Sequence, residues 1–311
     1  MPDWETCAAF LAGPDALGAE PEVIETHTAR VHLTETEAWK LRRPVDYGWL
    51  DYATREKRRL AAEREIAWNA AGAPGLYRGL GGVADGPRLL PPQDDLPPEA
   101  EPLVVMHRFR TEDLFDRLAG AGRLDRALMQ ETGVRVAAMH RAAPERDRPQ
   151  PLLSLARSEA SELREGAALI GEAAGRLAGA VEAEAEARAG LAGTRPMRRC
   201  HGDLHLRNLV LWRGAPAAFD CIDFTEAENF VWIDPLYDLA FLLMDLSHRG
   251  LAALRPAVLS AWAEEMAAGP GARVDLAYGG LGLLPLHEAL RAGIRAKIAG
   301  LAAASAEGET C

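Results

Sequence analysis

The chain has 311 residues, 48% of them hydrophobic and 26% charged, and its 35 Lys and Arg stand against 46 Asp and Glu, a formal charge of 35 − 46 = −11. That length suits two lobes with buried cores, and the acidic balance argues against nucleic-acid or anionic-membrane partners while it is hospitable to cationic substrates. Met1-Pro2-Asp3-Trp4-Glu5 lacks the features of a signal peptide and no uncharged apolar run could span a bilayer, so a cytoplasmic location is expected.

Residues 1 to about 20 read as a short helix and turn. Val23 to Thr28, Arg30 to Leu33 and Ala38 to Arg42 alternate apolar with polar residues, the period of half-buried strands. A helix follows Tyr52, carrying R-E-K-R-R-L-A-A-E-R-E-I-A-W-N. Residues 84–102, rich in Pro, Asp and Gly, read as a hairpin loop before the buried strand Leu103 to Met106. His107 is expected to be a solvated loop histidine.

From Asp113 to Ala143 apolar residues recur at helical spacing, and Gly120 and Gly122 divide two helices. His140, near the end of the second, reads as a structural histidine with satisfied partners. Residues 151–193 suggest two more helices broken around Gly166 to Gly179, with Glu182 to Arg188 as a solvated face. Cys7, Cys200, Cys221 and Cys311 lie without C-x-x-C spacing, which indicates neither a disulfide framework nor a zinc knuckle. Cys200 and Cys221 are expected to be reduced, half-buried residues along strands.

The most informative stretch begins at Cys200. It reads C-H-G-D-L-H-L-R-N-L-V-L-W, a turn at Arg213-Gly214-Ala215-Pro216, then A-F-D-C-I-D-F-T-E and I-D-P-L-Y-D-L-A-F-L-L-M-D. The apolar runs Leu209 to Trp212 and Ala217 to Ile222 flank the turn as two antiparallel strands would. Such a hairpin holds Asp203 and Asn208 on the loop before it and delivers Asp223 at its far end. Phosphoryl transfer needs this kind of oxygen-bearing set: a carboxylate for the proton of the attacking hydroxyl, and an amide and a carboxylate for Mg²⁺. Two other readings use the same residues, a zinc site through His201 and His205, or a polar turn bonding its own backbone. Asp234-Pro235 then caps a helix, and Asp238 sits one turn into a strongly apolar segment where a carboxylate needs partners.

H-x-D-x-x-x-x-N followed by I-D-F resembles the catalytic loop and metal-binding aspartate of the protein-kinase-like fold. More closely, H-G-D-L-H-x-x-N followed by I-D-x-x-x-D-L-A resembles the aminoglycoside phosphotransferase family. Within that fold, A-W-K-L-R-R-P-V-D-Y-G-W-L-D-Y-A-T-R-E-K-R-R with A-P-G-L-Y-R-G-L resembles a bacterial group of uncharacterised phosphotransferase-like proteins, many with an additional P-loop kinase domain. The present sequence contains no G-x-x-x-x-G-K-[ST].

The resemblance implies an α+β, two-lobed fold: a sheet-rich N-lobe over residues 1–106, and a helical C-lobe over 107–311 with the catalytic loop, metal site and acceptor pocket. It implies ATP or GTP with Mg²⁺ as cofactors and a hydroxylated small molecule, such as a sugar, amino sugar or aminoglycoside, as acceptor. Asp203 would be the catalytic base, Asn208 and Asp223 the metal ligands, and Asp238 the anchor of the loop backbone. Lys40, with Arg42 as rival, would contact the phosphates and pair with Glu65, with Glu63 as rival. The backbone at His107-Arg108-Phe109 would hold adenine. One departure is that no G-x-G-x-x-G precedes Lys40, which keeps open a nucleotide-binding protein of this fold with little or no turnover. A protein kinase is disfavoured by the lack of an A-P-E activation segment after Asp223. His287, Glu288, Arg291 and Arg295 make one side of the last helix polar, to line the acceptor pocket or face water. Glu226, Glu228 and Asp245 would suit a cationic acceptor, or be solvated. The tail from Ala302 to Cys311 is expected to fray.

Overall fold

A computed structural model describes residues 3–48, 50–149, 151–167, 171, 173–192, 195–223, 231–269 and 272–308. Asp3 accepts from the Thr6 N–H and so caps α1 (Trp4–Ala12), and Pro14 opens α2 (Pro14–Leu17). The three alternating segments form β1 (Glu22–Glu25), β2 (Ala29–Leu33) and β3 (Glu37–Arg42). Thr54 then caps α3 (Arg55–Asn69) through the Lys57 N–H. The next strands are β4 (Tyr77–Ala84), β5 (Arg88–Leu90) and β6 (Glu101–His107). Residues 84–102, expected as one hairpin loop, thus supply a whole strand and the start of another. These six strands make one antiparallel sheet in the order β1-β2-β3-β6-β4-β5.

The period of two assigns each face of this sheet. Trp39, Leu41, Leu103 and Val105 pack against Trp4, Cys7 and Leu11 of α1, whereas Ala38, Val104 and Met106 pack against Ala62 of α3. Lys40 stands opposite Val104 in the ladder, so Lys40 and Arg42 share the α3 face. His107 ends β6 half-buried and stacks on Trp212 with ring centroids 5.6 Å apart, which corrects its expected place in a solvated loop.

The chain continues through α4 (Phe115–Gly120), α5 (Arg126–Ala142), β7 (Glu145–Pro149), α6 (Leu152–Glu165), α7 (Ala173–Ala192) and β8 (Pro196–Arg199). Then come the hairpin β9 (Leu209–Trp212) and β10 (Ala215–Ala218), the short β11 (Trp232–Ile233), α8 (Pro235–His248), α9 (Arg255–Met266), α10 (Val274–Tyr278) and α11 (Leu284–Gly308). Arg213 and Gly214 at the hairpin turn have φ of 51° and 83°, the left-handed pair that matches strand twist. The Ala-rich segment read as a frayed tail continues α11 to Gly308, in keeping with alanine's high helix propensity.

The second strand of the hairpin ends at Ala218 and not at Ile222. Beyond it Asp220 has φ 58°, its N–H donates to the Tyr77 hydroxyl, and the Cys221 N–H donates to the Asn69 side chain. Side chains thus satisfy the backbone donors that a ladder would otherwise take.

The chain forms two compact units. The first runs up to Arg123 and includes the segment that begins at Arg207; the second comprises Leu124–Leu206 and the segment that begins at Val231. Among the described residues no helix is long and apolar enough to cross a membrane.

In the second unit α9 packs closely on α5 at Gly133. An added Cβ there would lie 2.4 Å from the Val258 carbonyl oxygen and 3.1 Å from the Trp262 nitrogen, backbone atoms that cannot rotate away. Gly133→Ala is expected to cost about 1–3 kcal/mol, the usual range for overpacking. Chemical denaturation measures it, and a change within about 0.5 kcal/mol, the surface-substitution range, would contradict the packing described.

Candidate active site

In the first unit the site is built around Glu65. The buried stripe of α3 is Arg58, Ala61, Ala62, Glu65 and Asn69, so the helix turns a carboxylate and an amide toward the sheet. Glu65 is 1% exposed, and two cations of β3 meet it: Lys40 Nζ at 3.1 Å, and Arg42 Nη2. Glu63 is exposed and faces Arg59 at 3.8 Å.

The segment after the hairpin reaches the same two cations. Lys40 Nζ lies 2.7 Å from Asp220 Oδ1, and Arg42 Nη2 also donates to Asp223 Oδ2. Burial works against the charge of Lys40 and of Arg42, but for Lys40 the carboxylates of Asp220 and Glu65, and for Arg42 those of Asp223 and Glu65, outweigh it and hold both pKa values above the ordinary range. The Tyr52 hydroxyl donates to Asp223 Oδ1 at 2.6 Å. Burial and the Asp223 charge push its pKa up, so it remains a donor. Lys40, Glu65 and Asp223 are therefore drawn into one network, and Arg42 joins it as a full member.

In the second unit Asp238 organises the loop. It is 0% exposed and accepts from the N–H groups of His201 at 3.0 Å and Gly202 at 2.9 Å. Gly202 has φ 85°, a conformation that side chains resist, which is the reason for glycine in H-G-D. Asp238 Oδ2 also lies 3.1 Å from His140 Nε2, while Trp262 Nε1 lies 3.0 Å from His140 Nδ1. An indole nitrogen only donates, so Nδ1 is the acceptor and Nε2 carries the proton offered to Asp238. Burial would raise the Asp238 carboxyl, but the His140 hydrogen bond together with the charges around it, Arg291 among them, holds it below its usual value.

Two further anchors act on the same loop. Arg291 Nη1 donates to the Gly202 carbonyl at 3.1 Å while its guanidinium lies 4.0 Å from the Tyr237 ring centroid. Asp245 accepts from the Leu206 N–H at 3.0 Å and from Arg249 at 3.1 Å. Asp245 is thus a buried loop support and is not solvated. His287 and Arg291 are buried too while Glu288 and Arg295 are half-buried, so this side of α11 faces water only in part. Glu226 and Glu228 lie outside the described residues.

The loop so held presents Asp203. Its side chain is 39% exposed and lies 3.3 Å from His205 Nε2, and its N–H donates to His201 Nδ1. Burial tends to raise its pKa, but the His205 hydrogen bond and the electropositive surroundings, the Arg291 guanidinium among them, bring it down to about 2. It is therefore an ionised, accessible carboxylate on a loop whose backbone is hydrogen-bonded at several points.

Among the described residues, the group of His, Cys, Asp and Glu with metal-ligand spacing is His140, Cys200 and Asp238. Both nitrogens of His140 and both oxygens of Asp238 are hydrogen-bonded, and burial drives the Cys200 thiol far up. The cluster is a structural support. Asn208 and Asp223 offer amide and carboxylate oxygens, donors that suit a hard cation such as Mg²⁺. Cys7, Cys200 and Cys221 are buried, the latter two more deeply than the half-burial expected of them.

Sequence reasoning missed Tyr52, Asn69, Tyr77 and Trp262, and it left Arg42 as a rival and Asp220 unweighed. The two acids of F-D-C-I-D, facing two bases of K-L-R, were the available signal.

A model of the phosphotransferase enzyme family matches residues 25–273. Uncharacterized proteins of Mycobacterium bovis and Mycobacterium tuberculosis are 30% identical over 241 residues, which are 74% of this chain and 46% of each relative. The chain thus spans about half the length of the curated relatives it matches. A glucosamine kinase in complex with glucosamine, ADP and inorganic phosphate superposes with a TM-score of 0.57 at 20% identity, over 94% of this chain and 78% of that one. A choline/ethanolamine kinase family protein from Mesorhizobium loti gives 0.52 at 15%, over 98% and 86%. An aminoglycoside phosphotransferase from Streptomyces rimosus gives 0.50 at 20%, over 92% and 99%. The fold they share with this chain is protein-kinase-like.

His287 yields a prediction in pH. Burial, with Arg195 and Arg291 adding to it against Asp234, lowers its pKa to about 4, below the unfolded value of about 6.5. Between those values the unfolded chain binds the extra proton, so this stability is present above about pH 6.5 and is lost as pH falls toward 4. The shift corresponds to about 3 kcal/mol at most. Denaturation across this range should show a flatter profile for His287→Phe than for the wild type; parallel profiles would contradict the assignment.

Proposed function

Because the chain belongs to the phosphotransferase enzyme family, we propose that it transfers the γ-phosphoryl group of ATP to a hydroxyl of a small molecule. The observation that carries this reading is Asp203: an accessible carboxylate held ionised, with a pKa of about 2, on a loop whose backbone is tied to Asp238, Asp245 and Arg291. Such a carboxylate orients an acceptor hydroxyl. At a pKa of about 2 it is a weak base toward a free hydroxyl, so it takes the proton as the oxygen commits to phosphorus.

In this reading residues 1–106 serve the nucleotide and 107–311 carry the catalytic loop and the acceptor pocket. Lys40, aligned by Glu65, contacts the phosphates, and Asn208 and Asp223 hold Mg²⁺. The metal supplies charge neutralisation for the phosphates. A sugar, amino sugar or aminoglycoside-like acceptor accords with the −11 charge and with the glucosamine bound by one structural neighbour. One observation favours a second reading, a nucleotide-binding protein without turnover: the carboxylate assigned to the metal is paired with Arg42.

Transfer of labelled phosphoryl from Mg·ATP to a panel of sugars, amino sugars and aminoglycosides separates the two. With an acceptor in hand, Asp203→Asn should lower kcat by about 10²- to 10⁴-fold and leave ATP affinity nearly unchanged. Full activity in the variant, or equal loss of binding and transfer on a folded protein, would contradict the role given to Asp203.

A further inference from the structure

β3 presents two cations on one face, two residues apart, and both are engaged. Lys40 is taken by Glu65 and Asp220. Arg42 is 2% exposed, and its Nη2 donates to Glu65 Oε2, to Asp223 Oδ2 and, at 3.3 Å, to the Ala61 carbonyl. Its guanidinium lies 5.5 Å from the Tyr52 ring centroid, and the Tyr52 hydroxyl holds the other oxygen of Asp223. A site of this fold asks for one cation on this strand, paired to one glutamate, and Lys40 with Glu65 meets that need. Arg42 is the extra charge, and what it balances is Asp223.

We infer that Arg42 is a resident counter-ion that closes Asp223 to metal in the nucleotide-free protein. The inference rests on Asp223 being a metal ligand, as proposed above. Each oxygen of that carboxylate carries a hydrogen bond from this chain, and the guanidinium on Oδ2 would repel a divalent cation only a few ångströms away in a poorly screened interior. Arg42 can nevertheless let go without becoming an unpaired buried charge, because the same Nη2 already bonds Glu65. That second partner makes the contact releasable. A metal ion alone gains too little to displace Arg42, whereas a nucleotide brings about four negative charges and favours the exchange.

The sign of one measurement tests this. Mn²⁺ is titrated into the nucleotide-free protein and the free ion is followed by its electron paramagnetic resonance signal. Arg42→Met should raise Mn²⁺ affinity about tenfold, since a neighbouring positive charge is removed. Tyr52→Phe, which deletes one donor and no charge, should raise it by a smaller factor, and Asp223→Asn should abolish both gains. If Arg42→Met leaves Mn²⁺ affinity unchanged or weaker while Asp223→Asn lowers it, the latch is overturned and the role of Asp223 stands. If Asp223→Asn alters Mn²⁺ binding in neither background, the metal assignment fails and the latch falls with it. Should Arg42→Met not fold, Tyr52→Phe decides, and an unchanged affinity there overturns the proposal.

Discussion

A carboxylate sealed from water keeps its charge only beside opposite charge or enough hydrogen-bond donors, and the first unit is arranged to meet that demand with charge at Glu65. β3 must turn Lys40 and Arg42 to the face that α3 covers, and the period of two does so once Trp39 and Leu41 are committed to α1. α3 must carry Glu65 and Asn69 one turn apart on its inner stripe, at the cost of a helix whose buried side is partly polar. The segment after the hairpin must then leave its ladder at Ala218, so that Asp220, Cys221 and Asp223 can meet Lys40, Asn69 and Arg42. Shifting any of these three elements by one residue would strand a buried charge.

Asp238 answers the same demand in the second unit by a different route. Its partners are mostly neutral: two backbone N–H groups and a histidine whose proton is fixed by Trp262. Neutral donors hold a carboxylate in one orientation without a mobile counter-ion, which suits a support that has nothing to exchange. Glu65 and Asp223 are held instead by cations on flexible side chains, Lys40 and Arg42 on Glu65 and Arg42 on Asp223, so in the proposed latch Arg42 can leave Asp223 while it stays on Glu65.

Much of this was legible in the sequence. D-P-L-Y-D-L-A shows an N-cap and a lone acid in an apolar helix, each with a local cause, whereas the role of Asp238 as anchor of the H-G-D-L-H loop came from the family resemblance and the left-handed φ of Gly202 only from the structure. The early strands followed from alternation, while the Thr54 cap of α3 emerged only in the structure. The second strand of the hairpin was read four residues too long, because Phe219 to Ile222 is apolar enough for a strand and only the distant Tyr77 and Asn69 draw its backbone away. β4 is hidden in the sequence because Gly79, Gly81 and Gly82 interrupt its alternation, the last two where side chains and backbone crowd the sheet, and β5 because three residues are too short to show a period of two. The burial of His287 and Arg291 could not be read from helical spacing, which records a polar stripe but not what covers it.

In the proposed function Asp223 and Asn208 would join nucleotide to metal, and the most direct test is calorimetry of ATP binding with and without Mg²⁺. The wild type should bind ATP at least about tenfold more tightly with the metal, a coupling of ordinary allosteric size, and Asp223→Ala should remove that difference. ATP affinity indifferent to Mg²⁺ in the wild type, or stoichiometric zinc in the purified protein, would contradict the account and return His201 and His205 to consideration as ligands.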